Sequence, residues 1–264
     1  MIADALRAAR TGLLFAAGPF DAVWRRLTGR NGLPPLWLRR HTGSVAAFES
    51  AARETSAFLD RLGVFQDPPR LVLDVGCGAG AMVEELRRRL TAEGRYVGFD
   101  VHAPSIRWCR RRWASDPRLV FEIAPLASPY GSAAGRPVES YRFPVEDGQA
   151  DLVLAKSVFT HLARDEARHY LAETRRVLRP GRPAVVTAFL YQAGAPGVET
   201  AFPHPAGDGT RLKSRARPTA AVAFEKSRFV SMIEEAGLRL QWHSEGFYPG
   251  RPRRDAQDVL LLGI

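Results

Sequence analysis

One stretch of the sequence combines residue types and spacing that could do chemistry: Leu71-Val-Leu-Asp74-Val-Gly76-Cys77-Gly78-Ala-Gly80. An apolar run leads into three glycines at alternate positions. Glycine accepts positive φ and lets a ligand touch the backbone. A helix that follows aims its unpaired N–H groups at whatever occupies the turn. Twenty residues past Gly80, a second apolar run ends at Asp100. A carboxylate there can accept both hydroxyls of a ribose. The chemistry is adenosine-cofactor recognition, and two cofactor classes fit it. Gly76-x-Gly78-x-x-Ala81 also satisfies the dinucleotide fingerprint. Asp74, inside the strand, distinguishes them: an acid there can meet a cationic amino-acid end, while a pyrophosphate gains nothing from it.

These residues need a rigid frame. From Arg70 onward, short apolar runs alternate with helical periodicity. Strands are expected at 71–75, 96–99, 119–123, 151–155, 184–190, 238–243 and 259–262. Helices are expected at 81–90, 104–113, 165–178 and 225–236. This alternation predicts an α/β fold, a doubly wound, mostly parallel, seven-stranded Rossmann-like sheet. Residues 1–66 read as an N-terminal helical cap, and 67–264 as the α/β domain. Within the cap, a basic preamble broken at Gly18-Pro19 and at Gly32 to Pro35 precedes a periodic helix at 44–62. Residues 191–223 interrupt the alternation after the fifth strand. Rich in Gly, Pro and Ala, they read as a lid insertion.

The chain has 264 residues, 45% hydrophobic and 25% charged, with a formal net charge of +10. Two cysteines, Cys77 and Cys109, are too few for a disulfide framework and sit in no metal-ligand cluster, so no metal and a reducing cytoplasm are expected. No run approaches the roughly 18 apolar residues that span a bilayer. The positive excess is mostly arginine scattered on helices, as at 87–89 and 110–112. Without an aromatic-interleaved basic stripe, it argues against a nucleic-acid groove. Leu6, Leu13, Leu14, Phe20, Val23, Trp24 and Leu27 form an amphipathic basic surface. A helix packed over the active site is favoured there over peripheral membrane contact. Nothing in the sequence sets an oligomeric state.

Five segments, in order over roughly 70–190, resemble the class I S-adenosylmethionine (SAM)-dependent methyltransferases. They are the glycine loop, Tyr96-Val-Gly-Phe-Asp-Val-His102, Phe143-Pro-Val-Glu-Asp-Gly-Gln-Ala-Asp-Leu-Val153, Val158-Phe-Thr-His-Leu162, and Arg176-Val-Leu-Arg-Pro-Gly181. Pro34 to Arg39, Tyr141 to Pro144 and Phe202 to His204 add a narrower likeness to bacterial small-molecule methyltransferases of unassigned substrate. The resemblance implies SAM as cofactor and S-adenosylhomocysteine as product. It implies Asp74, Gly76, Cys77, Gly78 and Gly80 around the methionine end, and Asp100 on the ribose. Val101 or His102 would flank adenine, and Leu126 would offer its backbone to the adenine edge. The carbonyl of Lys156 or Ser157 would face the amino group. Pro125 stands where many relatives carry an acid for the adenine amine.

On the acceptor side, His161 is the candidate general base or else a histidine that fixes its loop. His204, Tyr141 and Tyr191 are candidate acceptor contacts. The expected reaction is methyl transfer to a small molecule, at oxygen. The alternatives are an NAD(P)-dependent oxidoreductase and an inactive methyltransferase-like binding protein. An RNA acceptor is disfavoured, since the fourth-strand end lacks an Asn-Pro-Pro-Tyr-like stacking motif. If Asp100 holds the ribose, Asp100→Ala weakens SAM binding at least about tenfold in calorimetry, the cost of losing charged hydrogen bonds. Unchanged affinity removes the assignment.

Overall fold

The computed structural model describes residues 12–14, 16–39, 48–132, 134–194, 197–246 and 257–264. Five strands carry it: β1 (Leu71–Val75), β2 (Arg95–Asp100), β3 (Leu119–Ile123), β4 (Leu152–Ala155) and β5 (Ala184–Tyr191). They run parallel in the order β3-β2-β1-β4-β5. The chain winds outward from β1 in one direction and from β4 in the other. A crevice therefore opens between them at the carboxyl edge, where such sheets bind ligands.

Successive strand residues pack on opposite faces. Leu73, Val97, Val153 and Val186 belong to one apolar cluster, and Val72, Tyr96, Leu152 and Val185 to the other. Burial on both faces is why these strands read as continuous apolar runs.

Among the described residues the sheet has ten strands, not the seven expected. Residues 191–223 are not merely a lid. They hold α7 (Val198–Ala201), β6 (His204–Pro205) and β7 (Thr210–Leu212), and they lead into β8 (Val222–Glu225). β8 pairs parallel with β5 at Phe189–Tyr191, and β7 and β6 follow antiparallel. Strands of two to four residues are too short to show alternation, so composition alone suggested a loop. The chain closes with β9 (Arg239–Ser244) and β10 (Asp258–Gly263), β10 running antiparallel to both β5 and β9.

The helices are α1 (Gly18–Leu27), α2 (Leu36–Arg39), α3 (Phe48–Arg61), α4 (Val83–Arg87), α5 (Ala103–Arg112), α6 (Arg164–Val177) and α8 (Lys226–Glu235). The expected break is there: a turn at Ala17 separates helical residues 12–14 and 16 from α1, which Gly18-Pro19 opens, because proline costs nothing in a first turn. The expected start of the cap helix at 44–47 lies outside the described residues. Leu33, Leu38 and Phe48 pack the cap onto Ala79 of the glycine loop. The apolar side of α1, by contrast, faces solvent, which overturns the expected packing over the active site. Among the described residues no helix is long and apolar enough to cross a membrane.

Asp151 staples the amino edge of the sheet. It is 2% exposed and accepts the Arg70 and Leu71 N–H groups at 2.8 and 3.0 Å and Arg179 Nη1 at 2.7 Å. Asp151→Ala orphans all three donors. It should lower unfolding free energy by about 2–4 kcal/mol in urea titration; a loss within experimental error would show that the staple is dispensable.

Candidate functional site

A cavity of about 890 Å³ opens in the crevice, walled by the ends of β1, β2 and β4 and by the cap residues Phe48, Ala51 and Ala52. Gly76, Gly78 and Gly80 adopt φ of 68°, 54° and 76°. Their surroundings differ. A Cβ on Gly76 would come within 2.6 Å of Val158, whereas one on Gly78 would meet nothing within 4 Å. Gly78 is thus open backbone beside the cavity. Gly80 does not line it: a Cβ there would lie 2.6 Å from the Trp113 ring. Gly80 is a packing glycine, a distinction spacing cannot make.

The loop is held to the end of β2. Cys77 N–H donates to the Phe99 carbonyl at 3.0 Å. Asp100 Oδ2 accepts the Gly78 N–H at 2.8 Å, and Oδ1 accepts the His102 N–H at 2.7 Å. Each carboxylate oxygen has a second lone pair, so two hydroxyls could still be accepted. Burial pushes Asp100 above the usual carboxylate range, and the two backbone donors pull it back. Burial also pushes the Cys77 thiol far up, so this residue offers backbone rather than a nucleophile.

Asp74 is 3% exposed and accepts the Tyr96 hydroxyl at 2.7 Å. Burial raises its carboxyl to about 7, against the lowering by the Tyr96 hydrogen bond and Lys156. Lys156 is tied to the cap, donating from Nζ to Thr55 Oγ1 at 2.9 Å. Ser157, with φ of 60°, is the non-glycine residue in the left-handed region among those described. A network holds it there. Its N–H donates to Thr187 Oγ1 at 2.7 Å, and the Ser157 and Thr187 hydroxyls both donate to Gln257 Oε1, at 3.1 and 2.6 Å. Strain that persists under such support is typical of functional positions.

Val101, His102 and Leu126 also line the cavity. His102 Nδ1 meets Ser105 Oγ at 2.8 Å. The Leu126 N–H already donates to the Ala124 carbonyl at 2.8 Å, so it is no free donor for an adenine edge. Pro125 is exposed, and neither it nor Glu122 reaches this cavity.

At the acceptor end, His161 Nδ1 lies 3.0 Å from the Thr219 carbonyl oxygen and 3.3 Å from the Tyr130 hydroxyl. A carbonyl only accepts, so Nδ1 carries the proton and Nε2 keeps the lone pair. Burial lowers the pKa of His161, against the raising by the Thr219 and Ala220 backbone. Sequence reasoning missed Tyr130, Glu166, Thr219 and Gln257, which also line the cavity. No short-range pattern marks them. Three other candidates lie elsewhere. Tyr141 packs on Phe99 at 5.2 Å within the core. Tyr191 packs with Phe202 and Ala223, its hydroxyl donating to the Gly209 carbonyl at 3.4 Å. His204 pairs with Leu212 across β6 and β7. Tyr191 is the last residue of β5, covered by its pairing with β8, and His204 lies on the added strand β6; neither lines the cavity.

Residues 72–181 match the family model of a methyltransferase domain. That segment is similar to methyltransferase domains, and its glycine loop and parallel strands have the arrangement that the resemblance to class I SAM-dependent methyltransferases implies. The residues present fit that cofactor: a buried acid of raised pKa for a cation, open backbone at Gly78, and a carboxylate with spare lone pairs. The chain is 30% identical over 159 residues to an uncharacterised 37.1 kDa transposon protein of Streptomyces fradiae, covering 54% of this chain and 41% of that one. It is 28% identical over 148 residues to a malonyl-(acyl-carrier protein) O-methyltransferase of Hahella chejuensis, covering 56% and 45%. The chain thus spans less than half the length of these two curated relatives. In fold, the methyltransferase domain and its flanking segments resemble a Burkholderia thailandensis 1,6-didemethyltoxoflavin-N1-methyltransferase with bound S-adenosylhomocysteine. That match has a TM-score of 0.51 and 20% identity, covering 94% of this chain and 87% of that one.

Because burial raises Asp74 from 3.8 to about 7, the folded state keeps a proton that the unfolded state gives up. This contribution to stability is complete below the unfolded value and is lost as pH rises through the folded one. The melting temperature of the unliganded chain should therefore fall between about pH 4 and 7, and Asp74→Asn should flatten that fall. An identical slope in the variant would assign the titration elsewhere.

Proposed function

We propose that the chain transfers the methyl group of SAM to an oxygen of a small-molecule acceptor in the cytoplasm, with His161 as general base. The observation that carries this reading is the contact of His161 Nδ1 with the Thr219 carbonyl oxygen, which leaves Nε2 as the basic nitrogen of the neutral ring in a residue that lines the same cavity as Asp100 and Gly78. SAM supplies the electrophilic methyl when bound. The chain's own residues bind, orient and exclude water. Asp100 accepts the ribose hydroxyls while still holding Gly78 and His102. Gly76, Cys77 and Gly78 present backbone to the methionine end, and Asp74 supplies negative charge toward its ammonium group. The Ser157 carbonyl, fixed by Thr187 and Gln257, accepts from the same ammonium. Val101 and His102 flank the adenine.

At the other end, Nε2 takes the proton from an acceptor hydroxyl as the oxygen attacks. Tyr130 and Thr219 keep the ring from turning. An amine acceptor that is already neutral would have no use for this base, which is why oxygen is preferred. Titration with SAM against NADH separates this reading from nicotinamide chemistry.

His161→Ala should reduce turnover by about 10²–10⁴, read as S-adenosylhomocysteine release over a panel of hydroxylated small molecules, with SAM affinity nearly unchanged. In the parent chain the acid limb of the rate profile should lie below the ordinary histidine range, because burial favours the neutral ring. Full turnover by the variant would return His161 to a purely structural role.

A further inference from the structure

Helix α1 is built inside out. Asp21 and Arg25 face the protein. Asp21 is buried, binds the buried Arg39 and accepts Arg25 Nε at 2.9 Å and the Leu36 N–H at 3.2 Å. Arg25 Nη1 reaches on to the Leu33 carbonyl at 3.1 Å. These bonds fix the rotation of the helix about its axis. The opposite side carries Phe20, Val23, Trp24 and Leu27, which are 80%, 57%, 42% and 81% exposed, and Leu13 just before the helix is 71% exposed. They are the large apolar side chains left in solvent among the described residues. Their spacing of three, one and three places them on one stripe of a 3.6-residue helix. A contiguous apolar patch of this kind marks an interaction surface.

Charge identifies the occupant. By sequence, the first forty residues hold seven arginines against two aspartates, half of the chain's net +10. One of those aspartates, Asp21, is spent inside. Arg26 beside the stripe is exposed. Arg30 sits over the Trp24 ring at 5.4 Å, with Glu49 4.0 Å away. Next to it, Arg112 of α5 donates to the Gly32 carbonyl at 3.4 Å, which extends the basic border. Apolar residues with tryptophan and phenylalanine, bordered by arginine, match the depth profile of an anionic bilayer surface. Two copies meeting on this stripe would instead bring their arginines together.

We propose that the apolar side of α1 docks this chain on an anionic lipid bilayer. Phe20, Trp24 and Leu27 enter the headgroup boundary, and Arg26 and Arg30 meet lipid phosphates. Through Leu33, Leu38 and Phe48 the cap packs against the glycine loop and lines the cavity, so docking holds the cavity close to the lipid surface.

Sedimentation of the full chain with vesicles tests this. The chain should pellet with phosphatidylcholine vesicles containing phosphatidylglycerol and stay in the supernatant with phosphatidylcholine alone. Phe20→Glu/Leu27→Glu should abolish pelleting. Arg26→Glu/Arg30→Glu should weaken it at least about tenfold, at roughly 1 kcal/mol per arginine near such a surface. All four side chains are solvent-exposed, so both variants should keep the parent circular dichroism spectrum. The proposal is overturned if the parent chain ignores the anionic vesicles or if Phe20→Glu/Leu27→Glu pellets like the parent. It is equally overturned if light scattering shows a parent dimer that this variant dissociates, which would make the stripe a contact between copies.

Discussion

The carboxylate of Asp100 is the point on which the site turns. Its two oxygens take the Gly78 N–H from one strand end and the His102 N–H from the next. The β1–β2 register sets Val75 opposite Phe99, so both strands leave the sheet at the same height and the loop after β1 can reach across. Cys77 N–H, donating to the Phe99 carbonyl, adds a second tie. Without these bonds, three glycines in the left-handed region would be a floppy turn. With them, the loop is a shaped cradle whose hydrogen bonds are already in place before a ligand arrives, and preorganisation of this kind is what makes binding economical.

The remaining walls are held from outside the five parallel strands. Thr55 of the cap fixes Lys156, and Gln257, just before β10, fixes Ser157. Thr219, in the segment that leads into β8, fixes His161. Two acids and one lysine thus face a buried space, and desolvation is the largest influence on both acids. A cationic amino-acid ligand would relieve Asp74 of that cost, which gives the site a reason to prefer one. The three added strands move from loop to structural necessity, because the segment between them brings the Thr219 carbonyl to Nδ1 of His161.

The sequence was most readable where chemistry lies within one strand and its turn. Asp74, Gly76, Gly78 and Asp100 could be placed together because alternation of strands fixes which ends share an edge. Gly80 looked equivalent to its neighbours, and only the position of Trp113 separates it. Gln257 and Thr219 come to the site from 70 and 58 residues beyond the atoms they hold, and no local pattern signals such partners. Tyr141, Tyr191 and His204 show the converse, since residue type suggested a site that packing does not provide. Periodicity also revealed that α1 has an apolar side but not where it faces. Asp21, which pairs with Arg25 one turn on and with Arg39 beyond it, decides that.

A crystal structure of the chain grown with S-adenosylhomocysteine would be decisive. Both ribose hydroxyls should lie within hydrogen-bond distance of the Asp100 carboxylate while Gly78 N–H still donates to it, and the amino group should lie beside the Ser157 carbonyl. An adenosyl group bound away from this carboxylate, or one that binds only after the Gly78 bond has broken, would contradict the cradle described above.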